Sequence, residues 1–466
     1  MRLPAMQTAR LWAQATFGCV DLGDVRRTDR LVRMATSAAE GPAGQVTQVF
    51  HSSAERQGAY DLLNNEAVLA ASLTGALSRS VAVAAHEHEH VLVVLDGTSL
   101  TLTDRYKSKG LGRIGPFGAN ASGLKLINAL ALAPDGTPIG VADQNWWVRT
   151  SRVPSGYRGI NERESVRWRE CVTRVSDHFA ALDSSTRIHF LADREGDAAL
   201  LIETIQRAGH EFTIRSNATR KVLGRKGAAK IRPVLSQLAP LATMKVQLSA
   251  TPRRAARLAK LTIRALKLEV RLRDHHTHGV RVVPLTFVWA REQRRNGPID
   301  WMLMTNTPAT TARDACEVVR RYAKRWRIED FHRTWKSGAC NVEQTQLRSA
   351  NAIIKWATIL AAVAGRAETL RHAARTNPDA PATTILSDDE IQALVLLKTR
   401  VKSRVETVTA DGLTVVQAVR WIADLGGYVG NKSSGKPGPT TIGRGFEDVR
   451  VAAAVIAQLR SSGELR

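Results

Sequence analysis

Tyr322, Arg325, Glu329 and Lys336 stand in the stretch "YAKRWRIEDFHRTWKSGA", residues 322–339. At about 100° per residue on one helix they share a stripe about 60° wide, with Asp330 about 80° from Tyr322. A phenol, a carboxylate and two cations on one stripe, with Trp326 and Trp335 close by, fit neither a purely solvated face nor a core face. One carboxylate cannot hold catalytic magnesium, which takes several hard oxygen ligands. Two further acids, Asp96 and Asp193, each close a short apolar run, "VLVVLD" (91–96) and "IHFLAD" (188–193). An Asp in that place is often only a turn or helix cap. Two of them with a helical Glu point instead to phosphoryl transfer, which commonly uses a pair of divalent ions about 3.5–4 Å apart. His332 follows Glu329 by three residues, a spacing that brings it near the same place.

The elements that must position these acids can be read from periodicity. The two apolar runs have the length and pattern of buried strands. "LKLINALALAPDGTPIGVADQNWWV" (124–148) reads as two strands around a PDG turn. A helical segment spans roughly 161–180, and "REGDAALLIETIQRAG" carries the chain from Asp193 into another helix. Strands and helices alternating after an antiparallel start suggest a mixed α/β sheet. Residues 215–273 hold sixteen Lys and Arg and one acid, Glu269. Within them "LKLEVRLR" (266–273) alternates apolar and charged residues, so a basic β-rich insertion is expected as a separate piece. "IDWMLMTN" (299–306) returns as a core strand, and residues 311–337 and 350–374 are expected to be helical. Near the N-terminus, Asp24 is an expected N-cap and Ser52 with Glu55 an expected capping box. Arg26, Arg30 and Arg33 share a face of the first of these helices.

The 466 residues carry 67 Lys+Arg against 43 Asp+Glu, a net charge of +24. That excess calls for a polyanionic partner, nucleic acid before a membrane surface. No apolar run approaches the roughly 20 residues that span a bilayer, and "MRLPAMQTARLWAQ" lacks a signal-peptide core, so a cytoplasmic protein is expected. Cys19, Cys171, Cys316 and Cys340 have no CxxC spacing and read as reduced thiols.

The chain resembles bacterial DDE cut-and-paste transposases of the insertion-sequence-four type, and within them the transposon-five branch. The resemblance is carried by "LGDVRRTDRLVRMA", "QGAYDLL", "LDGTSL" around Asp96, "QNWWVR" (144–149), "ADREGD" around Asp193, "FTIRSN" (212–217) and "YAKRWRIEDFHRTWKSGA". The last matches the family's Y-x2-R-x3-E-x6-K signature without a gap. Matches run from about residue 20 to 340, with an echo in "DLGGYVGNK" (424–432). The basic middle segment and the last ninety residues match poorly.

The resemblance implies a ribonuclease-H-like mixed sheet with a β-rich insertion, flanked by helical N- and C-terminal domains. The divisions are 1–70 for DNA-end binding, 71–375 for catalysis with the insertion at about 215–298, and 376–466 for dimerisation. Asp96, Asp193 and Glu329 would bind two Mg2+ or Mn2+ ions per site. The family nicks one strand at a transposon end, forms and reopens a hairpin, and joins the freed 3′-OH to target DNA. Arg325 can then hold a phosphate bidentately, Lys336 can act as a point charge and Tyr322 as a hydroxyl donor. Hairpin formation favours rotating a base out of the stack. The resemblance makes Trp301 its pocket or probe, with Trp326 beside it, against the plainer reading of Trp301 as a core residue. Arg26, Arg27 and Arg30 match a DNA-contacting helix, and Arg215 a DNA-facing strand. Expected partners are transposon-end duplex, target DNA and a second subunit in a paired-end complex, with nucleoid association when bound to DNA.

Other motifs are set aside. "HEHEH" (86–90) reads as a polar lead-in to the strand ending at Asp96, and "RDHHTHG" (273–279) as a hairpin turn. The glycine-rich "SKGLGRIGPFG" (108–118) reads as a flexible surface loop, and no GxxxxGK[ST] is present, so no nucleotide cofactor is expected. Two competing functions remain: a catalytically silent end-binding inhibitor, and a ribonuclease-H-like nuclease without strand transfer. The last helical run, "EDVRVAAAVIAQLR" (447–460), offers Val451, Val455 and Leu459 either to an interface or to an internal core.

Overall fold

The computed structural model describes residues 9–115, 121–149, 164–182, 185–224, 227–248, 257–273, 279–294, 299–376, 378–400, 409–430, 437 and 439–462. The N-terminal region is helical: α1 (Ala9–Phe17), α2 (Val25–Glu40), α3 (Val46–Val49), α4 (Ser53–Asn64) and α5 (Ala70–Ala85). Local sequence starts two of them. The Asp24 side chain accepts the Arg26 backbone N–H at the head of α2, and Ser52 with Glu55 forms a full capping box on α4.

Strands follow as β1 (His90–Thr101), β2 (Gly112–Ile114), β3 (Ala121–Leu132) and β4 (Pro138–Trp147). Then come α6 (Glu164–Ala180), β5 (Arg187–Ala192), α7 (Ala199–Arg207) and β6 (Glu211–Arg215). The basic segment supplies β7 (Lys221–Gly224), β8 (Gly227–Lys230), α8 (Ile231–Ser236), β9 (Ala242–Leu248), β10 (Arg257–Arg273) and β11 (Val280–Glu292). After β12 (Asp300–Thr305) the chain is helical: α9 (Ala312–Ala323), α10 (Arg327–Lys336), α11 (Ala350–Thr376), α12 (Asp388–Arg400), α13 (Val415–Leu425) and α14 (Pro439–Ser461).

The described strands join one mixed sheet in the order β2-β3-β1-β5-β6-β12-β11-β10-β7-β8, with β4 on β3 and β9 on β10. Strand β1 lies between antiparallel β3 and parallel β5. Its residues Val91 to Leu95 are fully buried because both sheet faces are covered. Leu92 and Val94 pack with the N-terminal helices and α11, through residues such as Trp356 and Leu360. Val91, Val93 and Leu95 pack on the other face with Trp168, Cys171 and Val175 of α6.

Three expectations change. The basic segment is not a separate piece: β10 and β11 pair with each other, β11 pairs with β12, and β12 pairs with β6, so backbone hydrogen bonds carry the insertion into the same sheet. The "SKGLGRIGPFG" stretch is not all loop, since Gly112–Ile114 forms an edge strand on β3; residues 116–120 lie outside the described set. The helix expected over 311–337 is interrupted by a 3-10 turn, Lys324–Trp326. The turn of "RDHHTHG" also lies outside the described residues, although Arg273 pairs with Val280 on either side of it. The N-terminal helices share a continuous core with α11 and the sheet, while residues from Ala382 to Ile456 form a small core of their own.

Candidate active site

The acids meet at the end of the two parallel strands. Asp96 follows Leu95 in β1, and Leu95 pairs with Ala192, the last residue of β5. Asp193 is therefore the next residue along the neighbouring strand, and neighbouring strands run about 4.8 Å apart. Asp96 and Asp193 share the parity of Leu92 and Val94, so both face the side covered by α10 and α11. Asp193 also shapes its own backbone. One of its carboxylate oxygens accepts the Glu195 backbone N–H at 2.8 Å and caps the short 3-10 turn Arg194–Gly196.

The third acid arrives on α10. A ligand atom from each of Asp96, Glu329 and His332 lies within 4.8 Å of the others. Asp193 stands outside that triplet but close enough to act on Asp96 electrostatically. Arg325, in the 3-10 turn, reaches both acids, with Nη1 3.9 Å from Asp96 and Nη2 3.3 Å from Glu329. Its Nε and Nη1 are buried without a hydrogen-bond partner. Lys336 Nζ lies 3.5 Å from the Thr98 hydroxyl and 3.6 Å from Glu343.

The 3-10 turn puts Tyr322 on α9 rather than on the helix of Glu329. Tyr322 is buried and meets Trp301 of β12 edge-on, with centroids 5.3 Å apart. Trp301 is buried too, at 7% exposure, whereas Trp326 is 58% exposed with Arg325 over its ring.

Burial pushes the Asp96 carboxyl up to about 7; Arg325 opposes the shift, and the carboxylates of Glu329, Asp193 and Glu195 add to it. Burial pushes His332 down to about 3, helped by Lys336 and Arg325, so its imidazole is neutral. Clustered carboxyls held partly out of water, one of them unable to ionise easily, are a donor set in want of a cation. Asp96, Glu329 and the neighbouring Asp193 fit a divalent metal with hard oxygen preference.

Arg26, Arg27 and Arg30 lie on α2, whereas Arg215 follows Ile214, which pairs with Ala192, so it stands one strand from Asp193 and acts electrostatically on Arg325 and Tyr322. Arg26 is exposed and ion-paired with its own N-cap, Asp24, at 2.8 Å. Arg27 donates to the Leu22 carbonyl at 2.8 Å. The Arg30 guanidinium packs over Gly58 of α4, where an added Cβ would stand 2.6 Å from its central carbon. Arg215 is half-buried and donates to the Asp300 carbonyl at 3.1 Å, with its Nε unpartnered.

Sequence reasoning missed Asn128, Gln144, Glu195 and Glu343. Asn128 pairs directly with Asp96 across β1 and β3, and with Gln144 across β3 and β4. A polar residue inside each of two apolar strands was the available signal, but only the register tells that they line up with Asp96. Glu195 comes within 3.3 Å of the position a Gly97 Cβ would take. Glu343 accepts the Thr101 backbone N–H at 2.8 Å.

Two family models match the chain. Transposase DNA-binding matches residues 9–68, which span α1 to α4. Transposase DDE domain matches residues 161–364, which include Asp193 and Glu329; Asp96 lies before that span. The mixed sheet with helices on both faces is that of a ribonuclease-H-like DDE domain. The chain is thus built from a transposase DNA-binding domain and a DDE domain, and belongs with the DDE transposases, enzymes that act on DNA.

Proposed function

We propose that the protein is a cut-and-paste transposase of the insertion-sequence-four type, nearest the transposon-five branch. It binds the terminal inverted repeats of its element through α2. It nicks one strand, and the freed 3′-OH attacks the opposite strand to form a hairpin and release the flanking DNA. Water reopens the hairpin, and the 3′-OH joins target DNA. The observation that carries this reading is the approach of Asp96, Glu329 and Arg325, residues far apart in the chain, beside Asp193.

Asp96, Asp193 and Glu329 are the residues that would hold two Mg2+ or Mn2+ ions. When bound, the ions would supply Lewis-acid stabilisation of the attacking and leaving oxygens. Arg325 presents buried, unpartnered N–H groups and seats the scissile phosphate bidentately. Lys336 neutralises the adjacent backbone. Tyr322 donates its hydroxyl to the same phosphate once the site opens to DNA. Trp301 takes the rotated base at the hairpin, and exposed Trp326 stacks beside it. Arg26, Arg27, Arg30 and Arg215 contact the transposon end, mainly through phosphates. The working form is a homodimer on two paired ends, associated with the nucleoid.

Purified protein, Mg2+ and duplexes taken from the DNA flanking its own gene test this. The wild type should nick at the element's end, and Asp96→Ala should bind that end within about threefold of wild type with nicking reduced at least about 1,000-fold. Equal cleavage by the variant would move the metal site elsewhere. Binding without cleavage by the wild type would favour the silent end-binding inhibitor.

A further inference from the structure

Asn128, Gln144 and His332 form a buried polar chain that ends on Asp96. Asn128 is fully buried, Gln144 3% exposed and His332 8% exposed. Gln144 Nε2 donates to Asn128 Oδ1 at 2.8 Å. Asn128 Nδ2 lies 2.9 Å from His332 Nε2. At the other side of the ring, His332 Nδ1 faces Asp96 Oδ2 at 3.6 Å. An apolar core would be the cheaper filling here, so three buried polar side chains in series need a use.

The amide orientations decide the tautomer. As oriented, Asn128 donates to Nε2, which leaves the ring proton on Nδ1. Within this series of three side chains, the group without a partner is the Gln144 Oε1 carbonyl oxygen. Reversing both amides would move the proton to Nε2 and free Nδ1 as a ligand. It would also put the two N–H donors of Gln144 at the partnerless position. A buried orphan amide costs more than an under-satisfied carbonyl.

We propose that Gln144 and Asn128 hold His332 as the Nδ1–H tautomer, so that it orients Asp96 as a hydrogen-bond donor and is not itself a metal ligand. The inference rests on the metal role proposed for Asp96 and deepens it. At 3.6 Å the contact is electrostatic; a shift of about half an ångström closes it, and catalytic hydrogen bonds commonly tighten when the site is loaded. His332 is then a positioning residue: it fixes one Asp96 oxygen and leaves the other for the cation. The site keeps an all-oxygen character that suits Mg2+ and Mn2+ over softer ions.

The test uses the full-length protein loaded with Mn2+ and measured by electron spin-echo modulation. Wild type should show no coupling from a directly bound imidazole nitrogen; a strong 14N coupling that His332→Leu removes would overturn the proposal. Mn2+ titration gives a second readout. His332→Leu should weaken binding about 10- to 100-fold. His332→Asn, whose amide nitrogen replaces Nδ1, should recover most of that loss. Gln144→Leu should weaken binding severalfold while the thermal midpoint and end binding show the variant folded. No rescue by Asn, in a folded variant, counts against the donor role. Unchanged Mn2+ binding by Asp96→Ala would instead sink the underlying metal assignment.

Discussion

Asp96 is a carboxyl that the fold makes hard to ionise. Its pKa of about 7 stands well above the ordinary value of 3.8 because of burial and the acids around it. Between about pH 4 and 7 the native side chain keeps a proton that the unfolded chain has released. Metal-free stability should therefore be fullest below the lower value and fall as pH rises through the upper one, by up to about 4 kcal/mol. Asp96→Asn removes that charge while keeping the shape. By calorimetry without metal, the variant should melt above wild type at pH 8, by clearly more than at pH 5, where only about a third of the loss has accrued. A variant melting at or below wild type at pH 8 would show that Asp96 is not strained by its neighbours. At this scale the sequence was partly legible. An acid closing an apolar run is visible, and so is a Glu in a basic helix. Asn128 and Gln144 were not, because an amide inside a strand looks the same whether or not its cross-strand neighbour is an acid.

The helix of the signature shows how an element can be right in type and wrong in phase. Treating 311–337 as one straight helix put Tyr322 and Lys336 on a single stripe. The 3-10 turn at Lys324–Trp326, tied down where Lys324 donates to the Pro134 carbonyl, resets the phase and sends Tyr322 into the core against Trp301. Residue spacing alone cannot reveal such a turn, since no proline or glycine marks it. The basic insertion was legible as strands by its alternation. Its fusion with the main sheet was not, because that depends on β12 pairing with β6. Because Trp301 is buried, the base-handling role proposed for it requires local rearrangement first. Trp301→Ala should cost about 3–5 kcal/mol of stability as a cavity in a packed cluster. Below the melting range it should still nick the first strand, while hairpin yield per nick falls about tenfold or more. Trp301→Phe, which keeps the volume better, separates the two effects. Hairpin yield that tracks nicking in both variants would reject a base-handling role.

At the scale of the whole molecule, the net charge of +24 announced a polyanionic partner without saying where it docks. Assembly is less legible, because an interface helix and a core helix can share one apolar pattern. Helix α14 has an inner face in a core and an outer apolar stripe left exposed. Val449, Ala453 and Ile456 face the small C-terminal core, while Val451 is 58% and Val455 53% exposed, one turn apart on the outer side, with Leu459 half-buried below them. We propose that this outer stripe meets its copy in the paired-end complex. Val451→Glu with Val455→Glu places charge on an already solvated surface and should shift the thermal midpoint by no more than about a degree or two. In gel-shift assays the double variant should still bind one transposon end with wild-type affinity. Two charges buried against two more across an isologous contact would each lack a partner, so the slower two-end complex should be lost. Cleavage should fall with it if each subunit cuts the end its partner grips, whereas a two-end complex formed normally by the variant would place the dimer contact elsewhere.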